Sequence, residues 1–110
     1  MSDIKIFVKR PGEKLCEERI PNTLKAMQDI VGGYIEEFPL FEDCVIICNE
    51  EGKIKGLPYN CQILNEHFVG TIFFAGIDGD EFADVPGELQ DMEILLPELF
   101  KNDLKGRYEV

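Results

Sequence analysis

The sequence lacks the features of a membrane or secreted protein. No stretch of 18 apolar residues occurs among its 110 residues, whereas a transmembrane helix needs roughly 20. The first ten residues, MSDIKIFVKR, have no apolar run of the kind found in signal peptides. We therefore expect a cytoplasmic protein without a membrane anchor.

The four cysteines lack the spacing of a metal or redox site. None of Cys16, Cys44, Cys48 and Cys61 forms a C-x2-C pair, the arrangement typical of zinc sites and redox dithiols. Cys44 and Cys48 lie in the apolar run CVIIC, and residues four apart on a strand stand about 13 Å apart, too far for one disulfide or one metal ion. We expect buried free thiols, with neither a metal ion nor a disulfide.

Sequence signatures of catalysis and cofactor binding are also absent. The single histidine, His67, has no nucleophile or acid beside it in the sequence, although a cysteine brought close by the fold stays open. Gly32–Gly33 follows a predicted helix, whereas a phosphate-binding loop precedes one. The segment Asp78–Glu81 fails the EF-hand pattern, because Phe82 stands where an oxygen ligand is needed. We predict no catalytic residue, no cofactor and no metal ion, and hence a non-enzymatic protein.

Basic residues are missing from a large part of the chain. Gly56–Phe100 contains nine Asp or Glu residues and no Lys or Arg, and the whole chain has a formal net charge of −11. Such a surface repels nucleic-acid phosphates and anionic membranes, so we expect direct binding to neither. A high net charge also favours solubility, which is the simplest reason for it.

Alternating and apolar segments separated by turn residues indicate an α+β fold. We predict a single domain over residues 1–110 with a frayed tail at 106–110, a small, mostly antiparallel sheet of about five strands, one helix after the first hairpin and a C-terminal helical segment. The predicted strands are Ile4–Lys9, Leu15–Ile20, Tyr34–Phe38, Cys44–Cys48, Ile54–Leu57 and Phe68–Ala75. Cys44–Cys48 is apolar throughout and is expected to be central, after a strand that ends at Pro39. Gly70 marks a bulge or a close backbone approach.

Two helical segments are predicted. The first is capped by Asn22 and stopped by Gly32–Gly33. Its apolar face consists of Leu24, Met27, Ile30 and Val31. The second follows an acidic loop at Ile77–Asp84 and has Pro86 in its first turn, and Pro97 is expected to kink or divide it. Its apolar residues are Leu89, Met92, Leu96, Leu99 and Phe100.

Two polar segments and one acidic segment are candidate binding sites. Asn49–Lys53 and Leu57–Asn60 are predicted turns, and binding residues concentrate on such loops. Three acidic residues, Asp84, Glu88 and Asp91, are expected to stand together at the start of the second helix. The candidate partner-binding residues are Asn49, Glu50, Tyr59, Asn60, Asp78, Asp80, Glu81, Asp84, Glu88 and Asp91.

Several short segments resemble one known family. In order and spacing they are Val31–Glu36 (VGGYIE), Cys48–Lys53 (CNEEGK), Gly56–Asn60 (GLPYN) and Val69–Phe74 (VGTIFF). They are similar to the family named domain of unknown function 3846, over about Ile4 to Phe100. Members of that family are short bacterial proteins, often from phages, plasmids and conjugative elements. The resemblance therefore implies an origin near mobile elements, and it implies no activity, cofactor or catalytic residue.

Three functions stay open at this point. We expect an accessory protein that binds another protein of unknown identity, and a homodimer is left open. The first alternative is an anti-defence inhibitor whose acidic face imitates nucleic acid, because a duplex also presents densely spaced negative charge. The second alternative is a ligand-binding domain or small enzyme that uses the loops around Asn49 and Tyr59.

Overall fold

A strand from late in the chain joins two early hairpins into one sheet. The computed structural model describes residues 3–100. In this range the strands are β1 (Asp3–Lys9), β2 (Cys16–Pro21), β3 (Ile35–Phe41), β4 (Cys44–Asn49), β5 (Tyr59–Ile63), β6 (Glu66–Val69), β7 (Ile72–Asp78) and β8 (Glu81–Ala83). The main sheet has the order β2-β1-β7-β4-β3, with β8 also paired to β7, while β5 and β6 form a separate hairpin. All pairings are antiparallel, and the predicted α+β class is confirmed.

Alternation along the strands divides the core into two clusters, one on each face of the sheet. Helix α1 (Leu24–Val31) covers one face, where its Met27 packs with Ile47 and Phe73. The β5–β6 hairpin, helix α3 (Leu89–Leu95) and the 3₁₀ helix Pro97–Phe100 contribute to the cluster on the other face. Strand β4 lies between β7 and β3 and is buried at all six positions, as its apolar sequence predicts.

The first helix begins one residue later than expected and buries a narrower face. Thr23, not Asn22, is the N-cap, and its hydroxyl accepts from the Ala26 N–H at 3.1 Å. The Asn22 amide instead donates to the Phe82 carbonyl oxygen at 3.0 Å, so it ties the helix to β8. Leu24 is 57% exposed, which corrects the expectation that it packs on the sheet. Gly32 ends the helix in the left-handed conformation, as predicted (φ 83°).

Strand β3 passes through Pro39, where the sequence predicted its end. Pro39 is opposite Val45, and the register shifts between Pro39 and Phe41. This strand is the edge of the sheet, so a residue without an N–H can be accommodated there.

The segment after β4 differs from the predicted hairpin. Gly52–Lys55 forms a short helix, α2, in place of a turn followed by a strand at Ile54–Leu57. Gly56 closes it with φ 72°, and its N–H bonds back to the helix. The predicted break at Leu57–Asn60 is confirmed only for Leu57 and Pro58, because Tyr59 is the first residue of β5.

The predicted strand Phe68–Ala75 is divided at Gly70. Gly70 has φ 72°, and a Cβ there would stand 2.7 Å from Leu57 Cδ1, so the expected close approach is confirmed. The division allows β6 to pair in the hairpin and β7 to enter the main sheet.

The C-terminal part contains one strand more than predicted. The expected loop Ile77–Asp84 is a hairpin of β7 and β8. Pro97 does divide the last helical segment, since α3 ends at Leu95 and a 3₁₀ helix begins at Pro97. Pro86 precedes the helix, whose N-cap is Glu88. The predicted frayed tail lies outside the described residues.

Candidate functional site

Two of the predicted partner-binding residues are interior groups. Asn60 is 0% exposed and Asn49 is 7% exposed, so both side chains serve mainly as internal hydrogen-bonding groups. Asn49 Nδ2 donates to the Val31 carbonyl oxygen (3.1 Å), and its Oδ1 accepts from the Glu51 N–H (2.8 Å). These bonds fasten the end of α1 to the turn before α2.

Asn60 ties β1 to the connection between β6 and β7. Its Nδ2 donates to the carbonyl oxygens of Lys9 (2.8 Å) and Gly70 (2.6 Å), and its Oδ1 accepts from Lys9 Nζ (3.1 Å). Lys9 is itself 2% exposed, and its Nζ also donates to the Arg10 carbonyl oxygen at 3.1 Å. The buried amide therefore satisfies several interior polar groups.

Close backbone packing sets the position of α2. A Cβ on Gly33 would stand 2.8 Å from Asn49 Nδ2, and one on Gly52 would stand 2.9 Å from Val69 Cγ2. Gly33, Asn49 and Gly52 belong to the segments VGGYIE and CNEEGK, which the fold brings together at one end of the sheet. Small residues are needed there because the helix end, the strand end and α2 touch.

A cleft of about 240 Å³ opens beside α2 at this end of the sheet. We call it the α2 cleft. It is lined by Glu36, Phe38, Cys48, Asn49, Glu50, Lys53, Ile54, Glu66, His67, Phe68 and Val69. Phe38 and Phe68 meet edge to face with their ring centroids 5.3 Å apart. Lys53 Nζ lies 3.6 Å from Glu66 Oε2, and the Tyr59 ring lies 5.9 Å from that of His67.

The thiol in this cleft is held in its neutral form. Burial raises the pKa of Cys48 to about 11; nearby Glu36 and Glu66 also raise it, and Lys53 lowers it. A thiol with such a pKa is almost entirely protonated at neutral pH, which disfavours a cysteine nucleophile beside His67. Within residues 3–100, no three His, Cys, Asp or Glu side chains are grouped closely enough to hold a metal ion.

A second surface feature lies at the opposite end of the sheet. The β3–β4 turn and the β7–β8 hairpin meet there, because Cys44 is opposite Gly76 and the Ile77 N–H donates to the Asp43 carbonyl oxygen (3.1 Å). We call the exposed carboxylates of this region the acidic end: Asp3, Glu42, Asp43, Asp78, Asp80 and Glu81. None of them has an ion-pair partner in the part of the chain that the structure describes.

The other three predicted acidic residues serve the fold. Asp84 Oδ1 accepts from the Lys5 N–H at 2.8 Å, and Glu88 Oε2 lies 3.7 Å from Lys5 Nζ. Asp91 Oδ2 accepts from the Glu88 N–H at 2.7 Å, as in a capping box. These carboxylates therefore stabilise the start of α3 and its contact with β1, and their role in binding a partner stays a prediction.

Sequence reasoning singled out only the Asn49–Lys53 part of the α2 cleft and missed Glu36 and Glu66. Glu36, Lys53 and Glu66 are surface residues on three separate elements, and no spacing along the chain indicates that they meet. Of the residues that were predicted, Asn49 and Glu50 line the cleft, and Tyr59 stands beside it through His67. Glu42 and Asp43 were also missed, because their proximity to Asp78 depends on the strand order.

One known protein family covers most of the chain. The family model described as domain of unknown function (DUF3846) matches residues 4–100. The chain belongs to this family. Searches of curated proteins and of solved structures found no match. No helix of this DUF3846 protein within residues 3–100 is long and apolar enough to cross a bilayer.

Proposed function

We propose that this DUF3846 protein is a non-enzymatic, cytoplasmic accessory protein that binds another protein through its acidic end. The observation that carries the proposal is that six exposed carboxylates, from β1, the β3–β4 turn and the β7–β8 hairpin, lie at one end of the sheet. None of them forms an ion pair within residues 3–100. Lys25 stands in the adjacent first turn of α1, but its charge is paired with Asp29 at 3.1 Å.

The chemistry of this surface favours a basic protein partner. Like charges held together on a folded surface cost free energy, which a partner with Lys or Arg opposite them would relieve. Complementary charge of this kind accelerates association and selects among partners. Nucleic acids and anionic membranes carry the same sign of charge as the acidic end and are disfavoured as direct partners.

A narrower form of the proposal makes the partner a nucleic-acid-binding protein of a host. Two observations support it: the carboxylates are contributed by adjacent hairpins, and no base lies between Asp78 and Glu81. A duplex also presents dense negative charge, about one per 1.7 Å of axis, to the proteins that bind it. The phage and plasmid context that the family resemblance implies is consistent with such an anti-defence role.

The test neutralises the β7–β8 tip and measures binding to a captured partner. Proteins retained from a host lysate by the wild-type chain are identified, and the affinity of the purified partner is measured as salt is raised. The variant Asp78→Asn/Asp80→Asn/Glu81→Gln is expected to lose at least about tenfold in affinity and to show a weaker salt dependence. The control Glu13→Gln/Glu17→Gln/Glu93→Gln removes as many exposed charges elsewhere and should bind like wild type.

Two outcomes decide between the readings. Equal binding by the acidic-end variant and the wild type, with the same salt dependence, would refute the proposed surface. If the partner binds DNA, competition between DNA and the wild-type chain for the partner supports the proposal that the acidic end imitates nucleic acid. Simultaneous binding of DNA and the chain to the partner excludes it.

A further inference from the structure

The α2 cleft combines an aromatic floor with an excess of negative charge. Carboxylates of Glu36, Glu50 and Glu66 line it, against the single ammonium group of Lys53. The rings of Phe38 and Phe68 lie among them, with Phe68 buried and Phe38 partly buried. A ligand that matches this lining carries positive charge on a flat or apolar body.

We propose that the α2 cleft binds an arginine side chain presented by a protein partner. A guanidinium group is planar, stacks on aromatic rings and forms paired hydrogen bonds with carboxylates. An ammonium group is more strongly hydrated and lacks the planar face, so lysine fits this lining less well. The volume of about 240 Å³ is below the roughly 300–1,000 Å³ of typical small-molecule sites and suits one side chain.

The three charged side chains of the α2 cleft lie close to the same buried thiol. Glu36, Lys53 and Glu66 all influence the pKa of the same buried thiol, Cys48, and Glu36 does so more strongly than Lys53. Around this thiol two carboxylates therefore stand against one ammonium group. This agrees with the excess of carboxylates among the lining residues.

Lys53 of the α2 cleft would compete with a bound guanidinium group for the Glu66 carboxylate. Lys53 Nζ lies 3.6 Å from Glu66 Oε2, and its side chain is 62% exposed. An exposed ion pair of this kind contributes little stability, so a guanidinium that also stacks on the floor can displace it. Removing the Lys53 charge should consequently strengthen arginine binding, an effect that a purely structural role for Lys53 would not produce.

This inference goes beyond the proposed function and is tested separately. The α2 cleft lies at the other end of the sheet from the acidic end, and its test uses a small probe and no protein partner. Failure of one proposal therefore leaves the other standing.

The experiment is a titration of the full chain, followed by two-dimensional amide NMR, with N-acetyl-arginine methylamide as the probe. We expect saturable shifts at millimolar probe, confined to the amides of Glu36, Lys53, Glu66 and their neighbours. The lysine analogue should bind several-fold more weakly, and the uncharged norleucine analogue should not saturate. The spectrum reports in the same samples that each variant is folded.

Variants test the assignment of charges. Glu36→Gln and Glu66→Gln should each weaken the arginine probe about fivefold or more, Lys53→Met should strengthen it about two- to fivefold, and Glu81→Gln at the acidic end should have no effect. The proposal is overturned by the absence of saturable shifts in the cleft, by equal binding of all three probes, or by unchanged affinity in both glutamine variants. Much tighter binding of a free guanidine compound without a peptide backbone would overturn the assignment to a protein side chain.

Discussion

Gly76 of β7 packs against the carbonyl oxygen of Asp84 so closely that a Cβ on Gly76 would overlap it. The contact arises because β8 pairs with the end of β7 and the chain then turns back across Gly76 to reach β1. There the Val85 N–H donates to the Lys5 carbonyl oxygen at 2.8 Å. The absence of a side chain at Gly76 thus permits the crossing.

Gly76→Ala should therefore destabilise the protein by more than about 3 kcal/mol, because the backbone on the other side of the contact has no flexible end to move away. Gly79→Ala is the matched control in the same hairpin. Gly79 has φ 66° and open space around it, so only the backbone penalty of about 1–2 kcal/mol is expected. Denaturant unfolding of both variants measures the difference, and equal losses would show that the crossing tolerates a methyl group.

Asn60→Ala should cost about 2–4 kcal/mol, because it leaves interior polar groups of Lys9 and Gly70 without the amide that bonds them. Gln62→Ala is the control on the same strand, since Gln62 is exposed and its truncation should cost less than about 0.5 kcal/mol. Urea unfolding midpoints provide the comparison. A loss below about 1 kcal/mol for Asn60→Ala would contradict the role assigned to its amide.

Two residues of helix α1 should respond differently to truncation. Met27 is 1% exposed, so Met27→Ala is expected to cost about 2–5 kcal/mol. Leu24 is 57% exposed, and Leu24→Ala should cost less than about 0.5 kcal/mol. Thermal or denaturant melts of the pair test which residues face the sheet, and similar losses at both positions would mean that the helix is rotated.

The β5–β6 turn has an unfavourable residue at its first central position. Leu64 has φ 51° and Asn65 has φ 76°, and the pairing of Ile63 with Glu66 leaves these as a two-residue turn with both central residues left-handed. Leu64→Asn should stabilise the protein by about 0.5–1 kcal/mol, whereas Leu64→Val should destabilise it, because branching at Cβ opposes positive φ. Unfolding free energies that fall in the asparagine variant would contradict the turn geometry.

The buried thiols should make stability decrease in mildly alkaline solution. Burial raises the pKa of Cys44 and Cys48 from 9.0 to about 11. Between pH 9 and 11 the unfolded chain releases thiol protons that the folded chain keeps. The free energy of unfolding therefore falls as the pH rises through this range, and these thiols do not change it at lower pH. Denaturant titrations between pH 8 and 11 should show a shallower decrease for Cys44→Ala/Cys48→Ala than for wild type. The same slope in both proteins would exclude the thiols as its source.

The local sequence pattern was sufficient to predict an element where one local interaction determines its structure. Alternation predicted β1, the unbroken apolar run predicted β4 as a central strand, and Pro97 predicted the division of the last helix. In each case the physical cause lies within a few residues: an alternating apolar pattern, an unbroken apolar run, or a missing N–H.

The failures occur where a distant contact decides the local structure. Ile54–Leu57 has the composition of a strand, but Gly52 packs on Val69 and shapes a helical turn there. Tyr59 and Asn60 resemble a turn because Asn is a turn residue, and its burial follows only from bonds to Lys9 and Gly70. The α2 cleft depends on the same long-range packing, so the sequence indicated Glu50 and Lys53 on one loop but not Glu36 and Glu66, which lie on other elements.

The position of β7 between β1 and β4 has a consequence for biosynthesis. Both early hairpins emerge from the ribosome before Ile72–Asp78, and each has one strand edge that only β7 can complete. Until that segment appears, the nascent chain carries two open β edges, the feature that makes incomplete sheets prone to aggregation and to chaperone capture. Assembly of the sheet must therefore wait for translation to pass residue 78, however quickly the hairpins themselves form.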